Sequence, residues 1–175
     1  MISLVCGPMF SGKTTEVIRR LERAHIAKKR VILLRPSTDT RSFLSHTEQE
    51  VSWLPQLRTS LVRLDVSEYD VIGIDEGQFH EGLKDFCLKH SLMGKHVIVS
   101  ALHATSESEM FEPIIELIPY CEEIEKLNAV CTRCGSDIGN YTFYTVGKKT
   151  EKVAVGGSET YTALCDQCYH LGTNQ

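Results

Sequence analysis

The chain has 175 residues, of which 42% are hydrophobic and 24% are charged, and its net charge is −4. These values exclude general disorder and fit one domain, or one domain with a small appended module. No basic stripe is present, no apolar run approaches the ~20 residues of a membrane span, and Met1 leads straight into strand-like residues, so we expect a cytoplasmic protein without nucleic-acid or membrane partners.

The first part of the chain predicts a parallel α/β fold. Residues 2–6 form an apolar run typical of a buried strand, and residues 14–29 carry apolar side chains at helical spacing. A second apolar run at 31–34 completes a strand–helix–strand unit, which is the signature of a parallel sheet. Residues 36–60 are polar and predict a long loop.

Further apolar segments continue this pattern. They predict strands at 71–74 and 96–102 and helices at 82–93 and 112–118, the last ended by Pro119. We expect the strand at 71–74 to lie beside the first strand of the chain. The segments together predict a nucleotide-binding α/β domain over residues 1–127.

The sequence changes character near residue 128. The segment "CTRC" is followed by two strand-like segments, "YTFYTV" and "EKVAVG", with "GKK" as the turn between them, and then by "GGSETY" and "CDQC". Residues 128–175 therefore predict a small β module held by a metal ion.

A phosphate-binding loop follows the first predicted strand. "GPMFSGKT" matches G-x-x-x-x-G-K-[ST] at every fixed position, in the required order of strand, loop and helix. Glycine lets backbone N–H groups turn toward phosphate oxygens, and the helix that follows adds the positive end of its dipole. The residues predicted to contact ATP are Gly7, Pro8, Met9, Phe10, Ser11, Gly12, Lys13 and Thr14.

Two carboxylates, Asp75 and Glu76, follow the predicted strand at 71–74. That position puts them at the carboxyl edge of the sheet, where ligands of open α/β folds bind. We expect Asp75 and the Thr14 hydroxyl to hold Mg²⁺, and Glu76 to accept a proton from a nucleophile. The alternative is a solvated turn, and the pair alone does not distinguish water from an alcohol as the nucleophile.

Four cysteines form two C-x-x-C pairs, Cys131 with Cys134 and Cys165 with Cys168. This pattern predicts a closed tetrahedral site for structural Zn²⁺. Redox chemistry and coincidence are the alternatives, and His170 is a weak spare ligand. The three isolated cysteines are interpreted as packing residues in a protein from a reducing compartment, and they are Cys6, Cys87 and Cys121.

Several motifs together resemble one known family. "GPMFSGKTTE", "DTR" at 39–41, "IDEGQF" at 74–79, "KLNAVC", the C-x-x-C pairs and "GGSETY" resemble, in the same order, the small zinc-containing class of thymidine kinases. The resemblance implies a P-loop NTPase-like fold with a lasso-like lid. It also implies transfer of the γ-phosphate of ATP to the 5′-hydroxyl of thymidine for nucleotide salvage, a cytosolic homotetramer, and feedback inhibition by thymidine triphosphate.

The same resemblance implies roles for individual residues. Glu76 would be the general base, Asp75 and Gln78 would join the ATP site, and Asp39 and Arg41 would lie near the phosphates. Residues 152–157 would form a lid whose backbone reads the pyrimidine edge, with Tyr161 closing over the substrate. The residues implied for the nucleoside site are Met9, Phe79, Leu102, Ser106, Phe111, Lys152, Val153, Ala154, Val155, Gly156 and Tyr161.

One segment departs from the family pattern. Ser106 stands where an aromatic residue usually stacks on thymine, and His103 stands where an acidic or amide side chain is usual. Loss of one aromatic platform would cost ~1–3 kcal/mol of base affinity, which Phe111 partly replaces, and deoxyuridine is a further expected substrate. The competing functional classes are a nucleic-acid-stimulated P-loop ATPase with a zinc ribbon and a non-catalytic nucleotide sensor.

Overall fold

Six parallel strands form the main sheet of the computed structural model, which describes residues 1–37, 51–146 and 157–173. The strand order is β3-β2-β4-β5-β1-β6, and it confirms the predicted parallel α/β fold. The strands are β1 (Ile2–Gly7), β2 (Val31–Arg35), β3 (Gln56–Arg58), β4 (Val71–Ile74), β5 (His96–Leu102) and β6 (Glu123–Lys126).

Three helices cover the two faces of this sheet: α1 (Lys13–Ile26), α2 (Leu83–Leu92) and α3 (Glu112–Leu117). The apolar stripe of α1 packs on one face, in a cluster with side chains of the central strands. Helices α2 and α3 contribute to a larger cluster on the opposite face. The sheet is therefore buried on both sides, as a parallel sheet requires.

Close packing of α1 depends on a glycine in β4. A Cβ atom at Gly73 would lie 2.7 Å from Cδ1 of Leu21, so a larger residue would force the packed side chains between helix and sheet to move. The helix is also tied to the edge strand β6, because Arg20 pairs with Glu123 at 2.8 Å and with Glu125 at 2.6 Å. These contacts fix the start of α1 relative to the carboxyl edge of the sheet.

The strand order corrects two predictions. The expectation that the strand at 71–74 lies beside the first strand is wrong, because β5 lies between β4 and β1. The prediction of a loop throughout 36–60 is also wrong, since Gln56–Arg58 forms β3, parallel to β2. The crossover through α1 spans the two intervening strands, so the phosphate loop and the end of β4 still meet at one edge.

A second, two-stranded antiparallel sheet follows residue 128 and consists of β7 (Tyr141–Tyr144) and β8 (Tyr161–Leu164). It is completed by helix α4 (Asp166–Thr173). The sequence predicted β7 but not β8 or α4, and the predicted strand and turn at 147–156 lie outside the described residues. In the part of the chain that the structure describes, no helix is long and apolar enough to cross a membrane.

Candidate active site and four-cysteine centre

The phosphate loop runs from the end of β1 at Gly7 to the start of α1 at Lys13. Gly12 has a φ of 80°, a conformation that favours glycine, and a Cβ at Gly7 would lie 2.6 Å from the carbonyl oxygen of Leu127. The Lys13 ammonium donates to the carbonyl oxygen of Pro8 at 2.6 Å, across the loop. The loop thus brings the lysine and a turn of backbone N–H groups to one concave surface.

The predicted meeting of Thr14 and Asp75 is present. The Thr14 hydroxyl lies 3.0 Å and 3.2 Å from the two carboxylate oxygens of Asp75, which is 2% exposed at the end of β4. A hydroxyl and a carboxylate at this spacing supply oxygen ligands that Mg²⁺ prefers. The phosphate loop and the acidic pair therefore belong to one site.

Asp75 has further partners that the sequence did not reveal. The Ser100 hydroxyl donates to its Oδ1 at 2.5 Å, and the Arg35 guanidinium lies 3.9 Å from its Oδ2. His80 Nε2 lies 3.2 Å from its backbone oxygen, and burial holds the pKa of His80 below its ordinary value, although that hydrogen bond opposes the shift. A serine inside the apolar segment "HVIVSAL" was the one sequence signal for these contacts.

Glu76 begins the tight turn Gly77–Phe79. Its backbone is left-handed, with φ 54° and ψ 47°, which is uncommon for a residue other than glycine. Gln78 Nε2 donates to the Glu76 carboxylate at 2.6 Å, and the backbone N–H of Leu102 donates to Gln78 Oε1 at 3.0 Å. The turn thus holds the half-buried Glu76 carboxylate next in sequence to Asp75, which with Thr14 forms the oxygen pair suited to Mg²⁺.

Four described residues predicted for the nucleoside site make contacts with other side chains or with the second sheet. Phe79 and Phe111 meet edge to face, with ring centroids 6.3 Å apart. The Met9 N–H donates to the Thr142 hydroxyl at 3.0 Å, which connects the phosphate loop to β7. Tyr161 in β8 is 6% exposed and contacts the ring of Tyr144 at 5.4 Å.

The segment that departs from the family pattern, which contains His103 and Ser106, contacts the cysteine module. The Tyr169 hydroxyl donates to the backbone oxygen of Ser106 at 2.7 Å. Burial lowers the pKa of His103, and backbone oxygens of Gly7 and Asn140 oppose that shift. A cavity of about 250 Å³ separates this segment from β7, and its lining residues are His103, Ala104, Thr105, Ser108, Met110, Asn140, Tyr141 and Thr142.

Some predicted site residues lie outside the described residues. These residues are Asp39 and Arg41 near the phosphates, and Lys152, Val153, Ala154, Val155 and Gly156 of the lid.

The four predicted cysteine ligands converge. All four Sγ atoms lie within 4.8 Å of one another, and those of Cys134 and Cys165 are 3.7 Å apart. A tetrahedron with Zn–S bonds of about 2.3 Å has sulfur–sulfur edges of about 3.8 Å. The β7–β8 pairing brings the two C-x-x-C turns together, so these residues form a four-thiol site of the zinc-ribbon type.

Neighbouring groups shift the ionisation of the thiols at this centre in opposite directions. Burial opposes ionisation of Cys131, but backbone N–H groups of Cys165, Cys134 and Arg133 outweigh it and lower its pKa to about 6. Burial and the neighbouring thiols raise the pKa of Cys168 to about 12. A divalent cation would replace these protons and allow all four sulfurs to ionise.

The predicted spare ligand and the three predicted packing cysteines lie outside the four-cysteine centre. His170, 62% exposed at its side chain, lies 3.4 Å from Asp166 and outside the four-sulfur group. Cys6 and Cys87 are buried in the main core, which confirms their interpretation as packing residues, and Cys121 is partly buried against it.

Comparison with known proteins gives one consistent result. A sequence profile described as "Thymidine kinase" matches residues 1–169. The thymidine kinase of Bacteroides thetaiotaomicron is 37% identical over 173 residues, covering 96% of this chain and 86% of that protein. The thymidine kinases of Vaccinia virus (strain Western Reserve) and Monkeypox virus are each 37% identical over 171 residues, covering 96% of both chains. This chain therefore belongs to the thymidine kinase family and is a phosphotransferase.

Proposed function

We propose that this protein transfers the γ-phosphoryl group of ATP to the 5′-hydroxyl of thymidine. The observation that carries the proposal is the contact between Thr14 of the phosphate loop and Asp75, with Glu76 as the next residue. It joins a phosphate site, an oxygen pair suited to Mg²⁺ and a candidate base within one edge of the sheet. The family supplies ATP and thymidine as the expected substrates.

The phosphate site works by positioning and charge. Backbone N–H groups of the loop other than that of Met9, the helix N-terminus and Lys13 would bind the β and γ phosphates. Thr14 and Asp75 would hold Mg²⁺. This ion, when bound, would neutralise the charge that develops on the phosphoryl oxygens during transfer. Arg35, buried 3.9 Å from Asp75, adds a fixed positive charge behind that carboxylate.

Glu76 would accept the proton of the 5′-hydroxyl as the alcohol attacks the γ-phosphorus. In that step the new bond joins the 5′-oxygen to phosphorus, and the bond to the bridging oxygen of ADP breaks. The carboxylate is held by Gln78 and lies one residue from Asp75, so it can reach a hydroxyl next to the terminal phosphate without being a metal ligand itself.

The nucleoside site would lie between this edge and the cysteine module. Met9, Phe79, Leu102, Ser106, Phe111 and Tyr161 would surround the base and sugar, and residues 152–157 would form a lid that reads the pyrimidine edge. Because Ser106 supplies no aromatic platform, the Phe79–Phe111 pair would offer a ring surface to the base. We also expect deoxyuridine to be accepted, because the methyl group of thymine is a small apolar feature that discriminates weakly.

Zn²⁺ is the proposed occupant of the four-thiol centre, in a structural role, because a closed four-sulfur site leaves no open position for catalysis. We further propose a nucleotide-binding domain at 1–127 with a zinc-binding lid module at 128–175, in a cytoplasmic homotetramer. Thymidine triphosphate is the proposed feedback inhibitor, since it combines both substrates' binding groups in one molecule.

The base assignment is tested by replacing Glu76 with Gln in purified protein. We expect E76Q to lose 10²–10⁴-fold in kcat for thymidine phosphorylation, with a Kd for MgATP within about threefold of wild type. E81Q, at an exposed glutamate five residues further on, is the matched control and should keep full activity. A variant E76Q with wild-type kcat would contradict the role of Glu76.

The substrate is tested with ATP, Mg²⁺ and a panel of nucleosides, by measuring the monophosphates formed. Thymidine monophosphate should be the main product, with deoxyuridine monophosphate next. ATP hydrolysis that needs no nucleoside and rises with added DNA would instead indicate the nucleic-acid-stimulated ATPase.

A further inference from the structure

We propose that Gln78 is a positioning residue for the general base, holding the Glu76 carboxylate in register with the nucleoside pocket. This inference rests on the proposed function, in which Glu76 accepts the proton of the 5′-hydroxyl. The family resemblance implied an ATP contact for Gln78, but both polar atoms of its side chain are already engaged within the protein. Gln78 bridges Glu76 to the backbone of Leu102, at distances of 2.6 Å and 3.0 Å.

The orientation of the Gln78 amide follows from its partners. The backbone N–H of Leu102 is a donor only, so the amide oxygen must face it and the NH₂ group must face Glu76. An ionised carboxylate accepts hydrogen bonds and cannot donate one, and charge-assisted bonds of this kind are the stronger ones. The Gln78 amide therefore holds the Glu76 carboxylate through one directed hydrogen bond.

The backbone around this contact is fixed against β5. A Cβ at Gly77 would lie 2.6 Å from a methyl carbon of Val99, so the turn lies directly on the strand. Hydrogen bonds from the N–H groups of Phe79 and His80 to the preceding turn residues close it. Gln78 is itself 6% exposed, so its side chain has little room to adopt another conformation.

The Glu76 side chain can adopt many conformations unless a contact restricts it, because a glutamate has three rotatable side-chain bonds. The Gln78 amide restricts those bonds and ties the carboxylate to Leu102, a proposed wall of the nucleoside pocket. One rigid linkage thus sets the distance between the base and the bound sugar, and such positioning contributes to kcat rather than to substrate affinity.

The first test is Gln78→Met, which keeps the length of the side chain and removes both hydrogen bonds. We expect kcat to fall 10–100-fold, while KM for ATP and for thymidine stays within about threefold of wild type. Gln56→Met in β3 makes the same substitution outside the site and should leave kcat unchanged.

A double-mutant cycle separates positioning from a direct role. If Gln78 acts through Glu76, the variant E76Q/Q78M should be no slower than E76Q alone. Additive losses in the double variant, or a tenfold rise in KM for ATP in Q78M, would assign Gln78 to the nucleotide instead and overturn the inference.

A second variant, Q78E, tests the same proposal if Q78M does not fold. Gln78→Glu retains an acceptor for the Leu102 N–H but replaces the donor to Glu76 with a second carboxylate, so the hydrogen bond that holds Glu76 is lost. We expect kcat to fall at least tenfold, while KM for ATP and for thymidine stays within about threefold of wild type. A wild-type kcat in Q78E would contradict the proposal.

The two proposals fail in distinguishable ways. A wild-type protein that forms no thymidine monophosphate contradicts the proposed function itself. An active wild type with an inactive E76Q, together with Q78M and Q78E variants that match the wild type, leaves the function intact and overturns only the role of Gln78.

Discussion

The hydroxyl oxygen of Thr142 accepts a hydrogen bond of 3.0 Å from the backbone N–H of Met9. Met9 lies in the phosphate loop, whereas Thr142 lies in β7 of the cysteine module and is 5% exposed. One N–H of the loop is therefore directed toward the module. The contact makes the shape of the phosphate loop depend on the sheet that the four cysteines hold in place.

Replacing Thr142 with Val should weaken ATP binding. The methyl group that replaces the hydroxyl keeps the shape but leaves the Met9 N–H buried without its acceptor, a loss worth about 1–3 kcal/mol. We expect the Kd for MgATP, measured by calorimetry, to rise about 5–50-fold. T142S keeps the hydroxyl and should bind like wild type.

Thr162 provides a matched control in the neighbouring strand. Its hydroxyl lies 2.6 Å from that of Thr132, away from the phosphate loop, so T162V changes the same sheet without touching the Met9 contact. An unchanged Kd in T142V, or an equal rise in T162V, would mean that the Met9–Thr142 bond does not shape the nucleotide site.

Removal of the metal should unfold the cysteine module before the main sheet. Three of the five residues in its buried cluster are the candidate ligands Cys131, Cys165 and Cys168, so little apolar packing remains without the ion. After treatment with a strong chelator, we expect amides of β7 and β8 to exchange rapidly in hydrogen-exchange mass spectrometry, while those of β1 and β5 stay protected. ATP affinity should fall along with this loss of protection, through the Met9–Thr142 bond.

Metal content tests the ligand assignment directly. The wild type should carry about one zinc ion per chain by elemental analysis, and C165S should carry little or none. C121S, at an isolated and partly buried cysteine, should keep the full amount. Full zinc content in C165S, or protected β7 amides in the metal-free protein, would contradict this account.

Glu16 should stabilise the protein at neutral pH and lose that effect in acid. Hydrogen bonds from Arg19, opposed by burial and reinforced by Arg20, lower the pKa of Glu16 from its ordinary 4.5 to about 2. A carboxyl with a lower pKa in the folded state contributes stability above pH 4.5, and this contribution disappears as the pH falls toward 2.

E16Q should therefore be less stable than wild type by about 1–2 kcal/mol at pH 7, allowing for solvent screening of a partly exposed pair. Urea unfolding at pH 7, 4 and 3 should show the two proteins converging as the pH drops. Glu22→Gln, at an exposed position of the same helix, is the control. A constant difference at all three pH values would contradict the assigned linkage.

The sequence predicted the buried elements of the fold well and its edges poorly. β4 and β5 match the apolar runs at 71–74 and 96–102, and α1 follows its helical periodicity, because burial on both faces leaves a clear pattern. The edge strands "QLR" and "EIEK" were missed, since an exposed edge needs no apolar run. The position of β5 between β1 and β4 is a tertiary feature that no local pattern encodes.

In the candidate site, too, the sequence predicted some residues and missed others. Lys13, Thr14, Asp75 and the cysteines could be identified because the chemistry requires those residue types at that spacing. The partners that hold them could not: the bonds of Ser100 to Asp75 and of Thr142 to Met9 join segments far apart in the chain. Such contacts depend on strand order and on the packing of the cysteine module.

His90 should make the protein less stable as the pH falls below 6.5. Burial, with smaller effects from Lys89 and Lys95 and an opposing one from Asp65, holds the pKa of His90 below its ordinary 6.5. The side chain is 3% exposed, and neither ring nitrogen has a hydrogen-bond partner among the described residues. Protonation is therefore easier in the unfolded chain, so stability is full above pH 6.5 and decreases as the pH falls toward the folded pKa.

His90→Leu removes the titrating group while keeping an apolar side chain against Phe86, whose ring centroid lies 4.4 Å from that of His90. Between pH 6.5 and 5.5 the wild type should lose more stability than H90L, because its unfolded chain binds more protons than its folded state. Thermal or urea unfolding at half-unit pH steps measures both slopes. The same substitution at exposed His25 controls for the loss of a histidine in general, and parallel slopes in wild type and H90L would show that His90 is not the group responsible.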